Sequence, residues 1–217
     1  MVPLWLGHYS DRHGSEAITI HNDGRTLAVR IRGVAFRGAA FDVLDPVEPL
    51  GPGAPFLLTG DSLCACTIEC DVPVRVTTAA GAVEPATLRC RIVLGAPDDR
   101  GGRDRVELAL HHGTGVFATS GTHADFEAAL IEVQRALPPG AGLKACISCA
   151  FSDYHPAGVV MFAGLACFRD NKAGYRAVHG KRELLAAWGT LTGFVQETYL
   201  CAEYERRGDE GYRGAFP

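Results

Sequence analysis

The sequence predicts an α+β protein in which an N-terminal antiparallel β-sandwich or open barrel, residues 1–120, precedes a small α+β domain, residues 121–217. Short segments of alternating apolar and polar residues, separated by turn residues, extend from about residue 15 to 119. Helical periodicity first appears after residue 120. With 217 residues, of which 47% are hydrophobic, the chain has enough apolar side chains for a sizeable core.

The strand predictions begin with a hairpin. Leu27, Val29 and Ile31 place apolar side chains on one face of a strand, because successive residues of a strand point to opposite sides. The turn Asn22-Asp23-Gly24 connects this strand to residues 18–20, and an Asp-Gly step is typical of a tight hairpin. The same alternation predicts further strands at residues 63–76, 86–94, 105–110 and 114–119.

The predicted second domain begins with a helix. Thr122 offers a capping oxygen with Asp125 three residues later, and Pro138-Pro139-Gly140 ends the segment. Apolar residues recur at helical spacing between these signals: Phe126, Leu130, Val133 and Leu137. The remaining pattern predicts strands at 143–151, 160–168 and 194–204, a loop at 152–158, helices at 171–178 and 182–188, and a frayed tail at 206–217.

Composition excludes several classes of function. The formal charge is −4, with 21 bases and 25 acids, so we expect no broad phosphate-binding surface and no nucleic-acid partner. No stretch approaches the roughly 20 apolar residues of a membrane helix, and the first residues lack the pattern of a signal peptide. We therefore expect a cytoplasmic protein with no membrane partner, whose eight cysteines are reduced.

The first cysteine set consists of Cys64, Cys66, Cys70 and Cys90. The first three lie at even offsets on one predicted strand with Ile68 between them, and Cys90 lies on the expected partner strand. Neighbours two residues apart on a strand are about 7 Å apart, which makes joint binding of one ion difficult without a bulge. We therefore interpret this set as part of the core, where free cysteine packs as a small apolar residue.

The second cysteine set consists of Cys146, Cys149, Cys167 and Cys201. The Cys-x-x-Cys spacing of its first pair lets a tight turn aim both sulfurs at one ion, so the four thiolates predict a structural zinc site. Two alternatives stay open: Cys146 and Cys149 on opposite sides of a strand as buried thiols, or a redox pair. Asp153 or His155 could also replace a thiolate, and an open position would then make the site catalytic.

The loop at 152–158 concentrates polar and aromatic residues and is the other candidate for chemistry. Its simplest interpretation is a turn in which Ser152 and Asp153 bond the backbone. A serine hydrolase is disfavoured, since Ser152 is not in a Gly-x-Ser-x-Gly elbow. In the predicted last strand one face carries Glu197, Tyr199, Cys201 and Glu203, either as an acidic edge or beside a metal.

Three runs in the second half carry a family resemblance: CISCAFSDYHPAG at 146–158, LACFR at 165–169 and FVQETYLC at 194–201. Together they resemble an uncharacterised bacterial family of unknown function whose members pair a variable β-rich front half with this block. The resemblance implies that the four cysteines of the second set belong to one unit. It implies no activity.

The function that we expect is that of a cytoplasmic bacterial accessory protein that binds another protein, in an immunity-like or regulatory role, with a structural zinc site. The alternative is a metal- or cysteine-dependent enzyme with its site around residues 152–158. The absence of a phosphate loop or dinucleotide motif favours the non-enzymatic role. The sequence specifies neither a catalytic residue nor an oligomeric state.

Overall fold

The computed structural model describes residues 4–96, 104–156, 158 and 160–217. In chain order its strands are β1 (Leu4–Asp11), β2 (Gly14–Asn22), β3 (Leu27–Ile31), β4 (Val34–Gly38), β5 (Asp45–Pro46), β6 (Leu57–Thr59), β7 (Ser62–Cys64), β8 (Cys66–Thr77), β9 (Val83–Leu94), β10 (Arg105–His112), β11 (Gly115–Ala118), β12 (Gly142–Lys144), β13 (Ser152–Asp153), β14 (Leu165–Cys167) and β15 (Gly193–Val195). The α-helices are α1 (Phe126–Ala136), α2 (Lys172–Arg176) and α3 (Lys181–Ala187). Single 3₁₀ turns lie at Phe41–Val43, Cys146–Ser148, Arg169–Asn171 and Trp188–Thr190.

Most of the strands form one large antiparallel sheet. Among the described residues its order is β11-β10-β9-β8-β1-β2-β3-β4-β5, and β12 pairs with the end of β8 that β1 leaves uncovered. A second sheet has the order β13-β14-β15, and β6 and β7 form a separate pair. This arrangement confirms the α+β class, with an N-terminal sheet region followed by a small α+β part.

The strands of the large sheet follow the predicted alternation. In β8 the side chains of Cys66, Ile68 and Cys70 are buried, whereas those of Thr67 and Glu69 between them are not. The predicted hairpin is present, with Ile20 opposite Val29 in the pairing of β2 and β3. One face of the sheet therefore forms the core, and the other faces solvent.

The first helix is present as predicted, but its cap is not. Helix α1 begins at Phe126, and the N-cap is Asp125, whose carboxylate accepts a hydrogen bond of 2.8 Å from Ala128 N. Thr122 lies too far before the first turn to cap it. Asp125 is therefore the residue whose side chain caps the helix.

The core joins elements that are distant in the chain. The ring of Phe126 on α1 forms a three-ring cluster with Phe41 and Phe162. The centroids are 6.0 Å apart for Phe41 and Phe126, 4.5 Å for Phe126 and Phe162, and 5.3 Å for Phe41 and Phe162. A second, smaller group of buried side chains fills the C-terminal part: Cys149, Phe151, Ala166, Phe168, Tyr175, Val178 and Leu184. The boundary at residue 120 between two domains stays a prediction.

The three late strands are shorter than predicted, because local bonds turn the chain. The expected strand at 143–151 ends at Lys144, where a 3₁₀ turn follows, and only β14 remains of the one at 160–168. The expected strand at 194–204 ends at Val195, and Tyr199 N then donates to Gln196 O at 3.1 Å. The prediction that Glu197 and Glu203 share one strand face is therefore wrong.

The tail at 206–217 was expected to fray, yet it packs back onto the protein. Phe216 is buried in the main core, and the Arg213 guanidinium pairs with Glu127 on α1. No helix in the described part of the chain is long and apolar enough to cross a membrane.

Candidate metal centre

The Cys-x-x-Cys motif forms a tight turn. Cys149 N donates to Cys146 O at 3.1 Å, and the Ser148 hydroxyl donates to Leu143 O at 2.7 Å, which closes the turn beneath it. Cys146 and Cys149 therefore do not lie on opposite sides of a strand. The turn keeps the two cysteines close in the chain, with the Cys146 side chain in the main core and that of Cys149 in the smaller C-terminal group.

Cys167 reaches this turn through the small sheet. It lies at the end of β14, directly opposite Ser152 of β13. Ser152 follows Cys149 by three residues in the chain. Cys201 follows a segment that is bonded to the same turn: Cys146 N donates to Tyr199 O at 2.6 Å. Three separate segments of chain thus meet around the second cysteine set.

The four thiols influence one another electrostatically. Burial raises the pKa of the Cys146 thiol, and the nearby Cys149, Cys201 and Cys167 raise it further. Burial also raises the pKa of Cys149 and of Cys167, and the nearby Cys201 adds to the increase in both. Burial therefore favours the neutral form of Cys146, Cys149 and Cys167.

Hydrogen-bond donors point at the sulfurs. The backbone N–H groups of Phe151 and Glu205 donate to the Cys149 sulfur, and that of Arg169 donates to the Cys167 sulfur. The Arg169 guanidinium also lies beside Cys201. Donors of this kind stabilise a thiolate and orient metal-bound sulfur, although at Cys149 and Cys167 burial outweighs them and the pKa of both thiols stays raised.

The sulfurs do not already form a coordination shell. Within the described residues, no group of three or more His, Cys, Asp or Glu side chains is arranged to hold a metal ion as it stands. Cys146, Cys149 and Cys167 are buried, and Cys201 is partly exposed. Binding of one ion by all four cysteines would therefore require their side chains to change conformation so that the sulfurs come closer together.

The loop at 152–158 is largely committed to structure. The Ser152 hydroxyl donates to Cys146 O at 2.6 Å, and the buried Asp153 accepts from the Tyr175 hydroxyl at 2.9 Å. Burial raises the pKa of Asp153. His155 packs edge-on against Trp188, and residue 157 lies outside the described residues. This arrangement agrees with a turn, and it leaves the Ser152 hydroxyl bonded to a carbonyl rather than free to attack a substrate.

Glu197 is a buried carboxylate whose environment the sequence did not indicate. It is 0% exposed and accepts hydrogen bonds from Ala163 N at 2.7 Å, Gly164 N at 3.2 Å and the Tyr154 hydroxyl at 3.1 Å. Burial raises the pKa of Glu197 to about 7, although these hydrogen bonds lower it in part. Through these bonds Glu197 connects its own segment to the backbone at residues 163 and 164. Glu203, by contrast, is exposed on the surface.

The first cysteine set occupies a different environment. Cys66, Cys70 and Cys90 are buried among aliphatic side chains, and Cys70 lies opposite Cys90 in the pairing of β8 and β9. Cys64 is buried too, but it belongs to β7, because Ala65 has a φ of 51° and separates the two strands. The structure places Cys66, Cys70 and Cys90 on the paired strands β8 and β9, within the main core.

Comparison with known proteins places the chain in a family. The profile of a family of unknown function, DUF6304, matches residues 4–152, so the chain belongs to that family. The match ends within the first of the three runs that carry the resemblance, so it does not cover Cys167 or Cys201. No curated protein and no solved structure matches the chain.

Proposed function

We propose that this protein binds another protein and that its C-terminal part is held together by a structural zinc ion on Cys146, Cys149, Cys167 and Cys201. The observation that carries the proposal is the meeting of four cysteines from three segments at one turn. Four thiolates at about 2.3 Å form a closed tetrahedral shell around zinc. Such a shell has no position for a substrate or a reactive water, so it favours a scaffold.

Zinc would supply cohesion where the polypeptide has little. The small sheet has strands of two or three residues, and helices α2 and α3 have five and seven residues. Elements this short are not stable by themselves. A metal that binds only the folded arrangement stabilises it by its binding free energy, and the amide donors to Cys149 and Cys167 would orient the bound sulfurs.

A partner-binding role agrees with the surface of the large sheet. Leu4 and Leu6 on β1 are 54% and 67% exposed. Leu6 borders a hollow of ≈ 580 Å³ on the solvent face, with charged Glu69, Asp71 and Arg89 around it. Apolar side chains rimmed by charges are typical of protein interfaces. We further propose an immunity-like or regulatory role in the cytoplasm, where the eight free cysteines would stay reduced.

The enzymatic alternative receives less support from the geometry. It would need a metal with three protein ligands and a water, or an accessible nucleophile in the loop at 152–158. Ser152 and Asp153 are each engaged in buried hydrogen bonds, and the buried Glu197 carboxylate accepts three. These commitments favour a structural role for the loop.

The test compares one cysteine from each set. Cys149→Ser in the full chain should remove stoichiometric zinc, as measured by elemental analysis of tag-free protein, and should lower the melting temperature strongly. Cys66→Ser, the matched control, should retain zinc and lose only stability of the size that packing provides. Unchanged zinc in the Cys149 variant would show that the ligands are assigned wrongly. Loss of zinc in the Cys66 variant would instead assign the ion to the first set.

A further inference from the structure

The tail, residues 208–217, is attached to the rest of the protein by side chains. The last backbone bond before it is that of Arg207 N to Ser148 O, at 2.9 Å. Beyond this point, among the described residues, the backbone bond is Gly214 N to Gly211 O, within the tail itself. Arg213 and Phe216 are the side chains that hold the segment down. Such a segment can detach without breaking a strand or a helix.

Arg213 occupies a pocket that suits a guanidinium group. Its Nη2 donates to Glu127 Oε1 at 2.7 Å, its Nη1 donates to Ser152 O at 3.2 Å, and its Nε lies 3.6 Å from Asp153 Oδ1. The group also lies over the Tyr154 ring, 5.0 Å from the centroid. Two carboxylates, a carbonyl and an aromatic face are the partners that a planar, forked cation prefers.

A second arginine beside this pocket, Arg207, has two side-chain nitrogens without a hydrogen-bond acceptor among the described residues. Arg207 is 8% exposed, and its Nε and Nη1 are buried with no hydrogen-bond acceptor within the described structure. Arg207 shares the electrostatic environment of Asp153, Glu127 and Arg213, and its guanidinium lies over the Phe216 ring. The tail therefore fills the acidic pocket and leaves two buried donors unpaired, which is costly.

We infer that Glu127, Asp153 and the Tyr154 ring form a receptor for an arginine residue that carries a free carboxylate, such as the C-terminal arginine of a partner peptide. The tail fills this receptor from within the chain. An incoming arginine places its guanidinium where Arg213 lies and its carboxylate against the unpaired donors of Arg207. The second contact is one that the tail does not make, so the ligand can compete with it. The inference gives the partner-binding role a specific chemistry and does not require the zinc site.

The experiment uses the full chain with Arg213→Met, which removes the guanidinium group from the pocket while keeping an unbranched apolar side chain. Binding of N-acetylarginine and of its neutral isostere N-acetylcitrulline is measured by calorimetry. We expect the variant to prefer N-acetylarginine at least about tenfold and to bind it more tightly than the wild type does, because the tail no longer competes. N-acetylargininamide, which lacks the carboxylate, should bind about tenfold more weakly than N-acetylarginine.

Two further variants separate the receptor from other effects. Adding Glu127→Gln to Arg213→Met should reduce the preference for arginine over citrulline, because Asp153 remains as the single carboxylate of the pocket. Arg182→Met, on the exposed side of α3, should behave as the wild type. Equal binding of arginine and citrulline by Arg213→Met, or no gain over the wild type, would overturn the inference. Zinc content is measured in the same samples, so failure of the receptor and failure of the metal centre are distinguishable.

A measurement on the wild type guards against a variant that does not fold. Chymotrypsin cleaves after Tyr212, which is 43% exposed but lies next to the anchored Arg213. If N-acetylarginine displaces the tail, millimolar concentrations should accelerate this cleavage severalfold, as followed by mass spectrometry, and N-acetylcitrulline should not. Equal cleavage rates with both compounds would contradict a displaceable tail.

Discussion

The two cysteine sets contain the same number of thiols but occupy opposite kinds of structure. Cys70 and Cys90 face each other on long strands, among aliphatic neighbours, and burial raises the pKa of Cys90 well above its usual range. Cys149 and Cys167 lie where short elements end, with backbone N–H groups directed at their sulfurs. Burial is common to both sets and therefore does not distinguish a core thiol from a ligand. Backbone N–H donors at the sulfur set Cys149 and Cys167 apart from Cys70 and Cys90.

The same contrast separates the two regions as a whole. The large sheet is held by long ladders, of which β8 and β9 pair over twelve residues each. The C-terminal part depends on buried polar contacts such as those of Glu197 and Asp153, and on a small group of buried apolar side chains. The two regions should therefore lose stability in response to different changes.

The largest expected effect follows removal of metal. Treating the reduced protein with a strong chelator at neutral pH should lower its melting temperature by at least about 10 °C, because the binding free energy of zinc is lost. Adding stoichiometric zinc should restore the original value in calorimetry. Cys66→Ala should show the same chelator-dependent shift. A melting temperature that does not respond to chelator would remove the proposed distinction between the two cysteine sets.

A smaller effect is expected in the core of the sheet. Cys90 is fully buried opposite Cys70, so Cys90→Ala should cost about 1–2 kcal/mol of unfolding free energy through the cavity that it leaves. Urea unfolding measures the loss, and zinc content should be unchanged. A cost of the size seen on metal removal would mean that this cysteine does more than pack.

The Asp11–Arg32 pair should make the sheet region sensitive to acid. Hydrogen bonds from Arg32, at 2.6 and 2.7 Å, lower the pKa of Asp11 to about 2. The unfolded chain has the higher value, so the stabilisation is complete above about pH 4 and is lost as the pH falls towards 2. Wild type should exceed Asp11→Asn by about 1–2 kcal/mol at pH 7, and the difference should shrink in acid.

Urea unfolding at several pH values measures this difference, with the exposed Asp61→Asn as the control that should leave stability unchanged. A gap between wild type and Asp11→Asn that stays constant down to pH 2 would show that the ion pair does not hold the Asp11 carboxylate.

The smallest effect concerns the helix that links the regions. Asp125→Ala should lower the unfolding free energy by about 1 kcal/mol, since it removes the bond to Ala128 N at the start of α1. Asp125→Asn should retain most of the stability, because an amide oxygen also caps. Thr122→Ala serves as the comparison, and thermal unfolding should show no change in it. A larger loss of unfolding free energy in Thr122→Ala than in Asp125→Ala would show that Thr122 caps the helix, as the sequence suggested.

Sequence patterns predicted the parts of the fold that local periodicity determines. The alternation through Leu27 and Val29, and the helical spacing through Leu130 and Val133, reflect burial of one face, which a single segment reveals. The region after residue 194 misled the same reasoning. Its alternating residues are mostly polar, and Glu197 is held by amides more than thirty residues away.

The candidate sites divide in the same way. The spacing of Cys146 and Cys149 was enough to suggest a turn, because that motif is local. The approach of Cys201 depends on the bond from Cys146 N to Tyr199 O, which no spacing rule contains. The pairing of Arg213 with Glu127 spans 86 positions, and the glycine-rich tail gave no hint of it. Distant polar contacts of this kind follow from the packed chain as a whole.

The position of β1 has a consequence for synthesis of the protein. Strand β1 lies in the interior of the sheet, between β2 and β8, with Gly7 opposite both Ile18 and Cys70. During synthesis the strands from β1 through β5 therefore leave the ribosome well before β8, the strand that covers the other edge of β1. Until β8 emerges, that edge offers unpaired backbone groups and the apolar Trp5 and Tyr9 to any passing chain. Nascent-chain aggregation, and the chaperones that prevent it, should act most strongly in this interval.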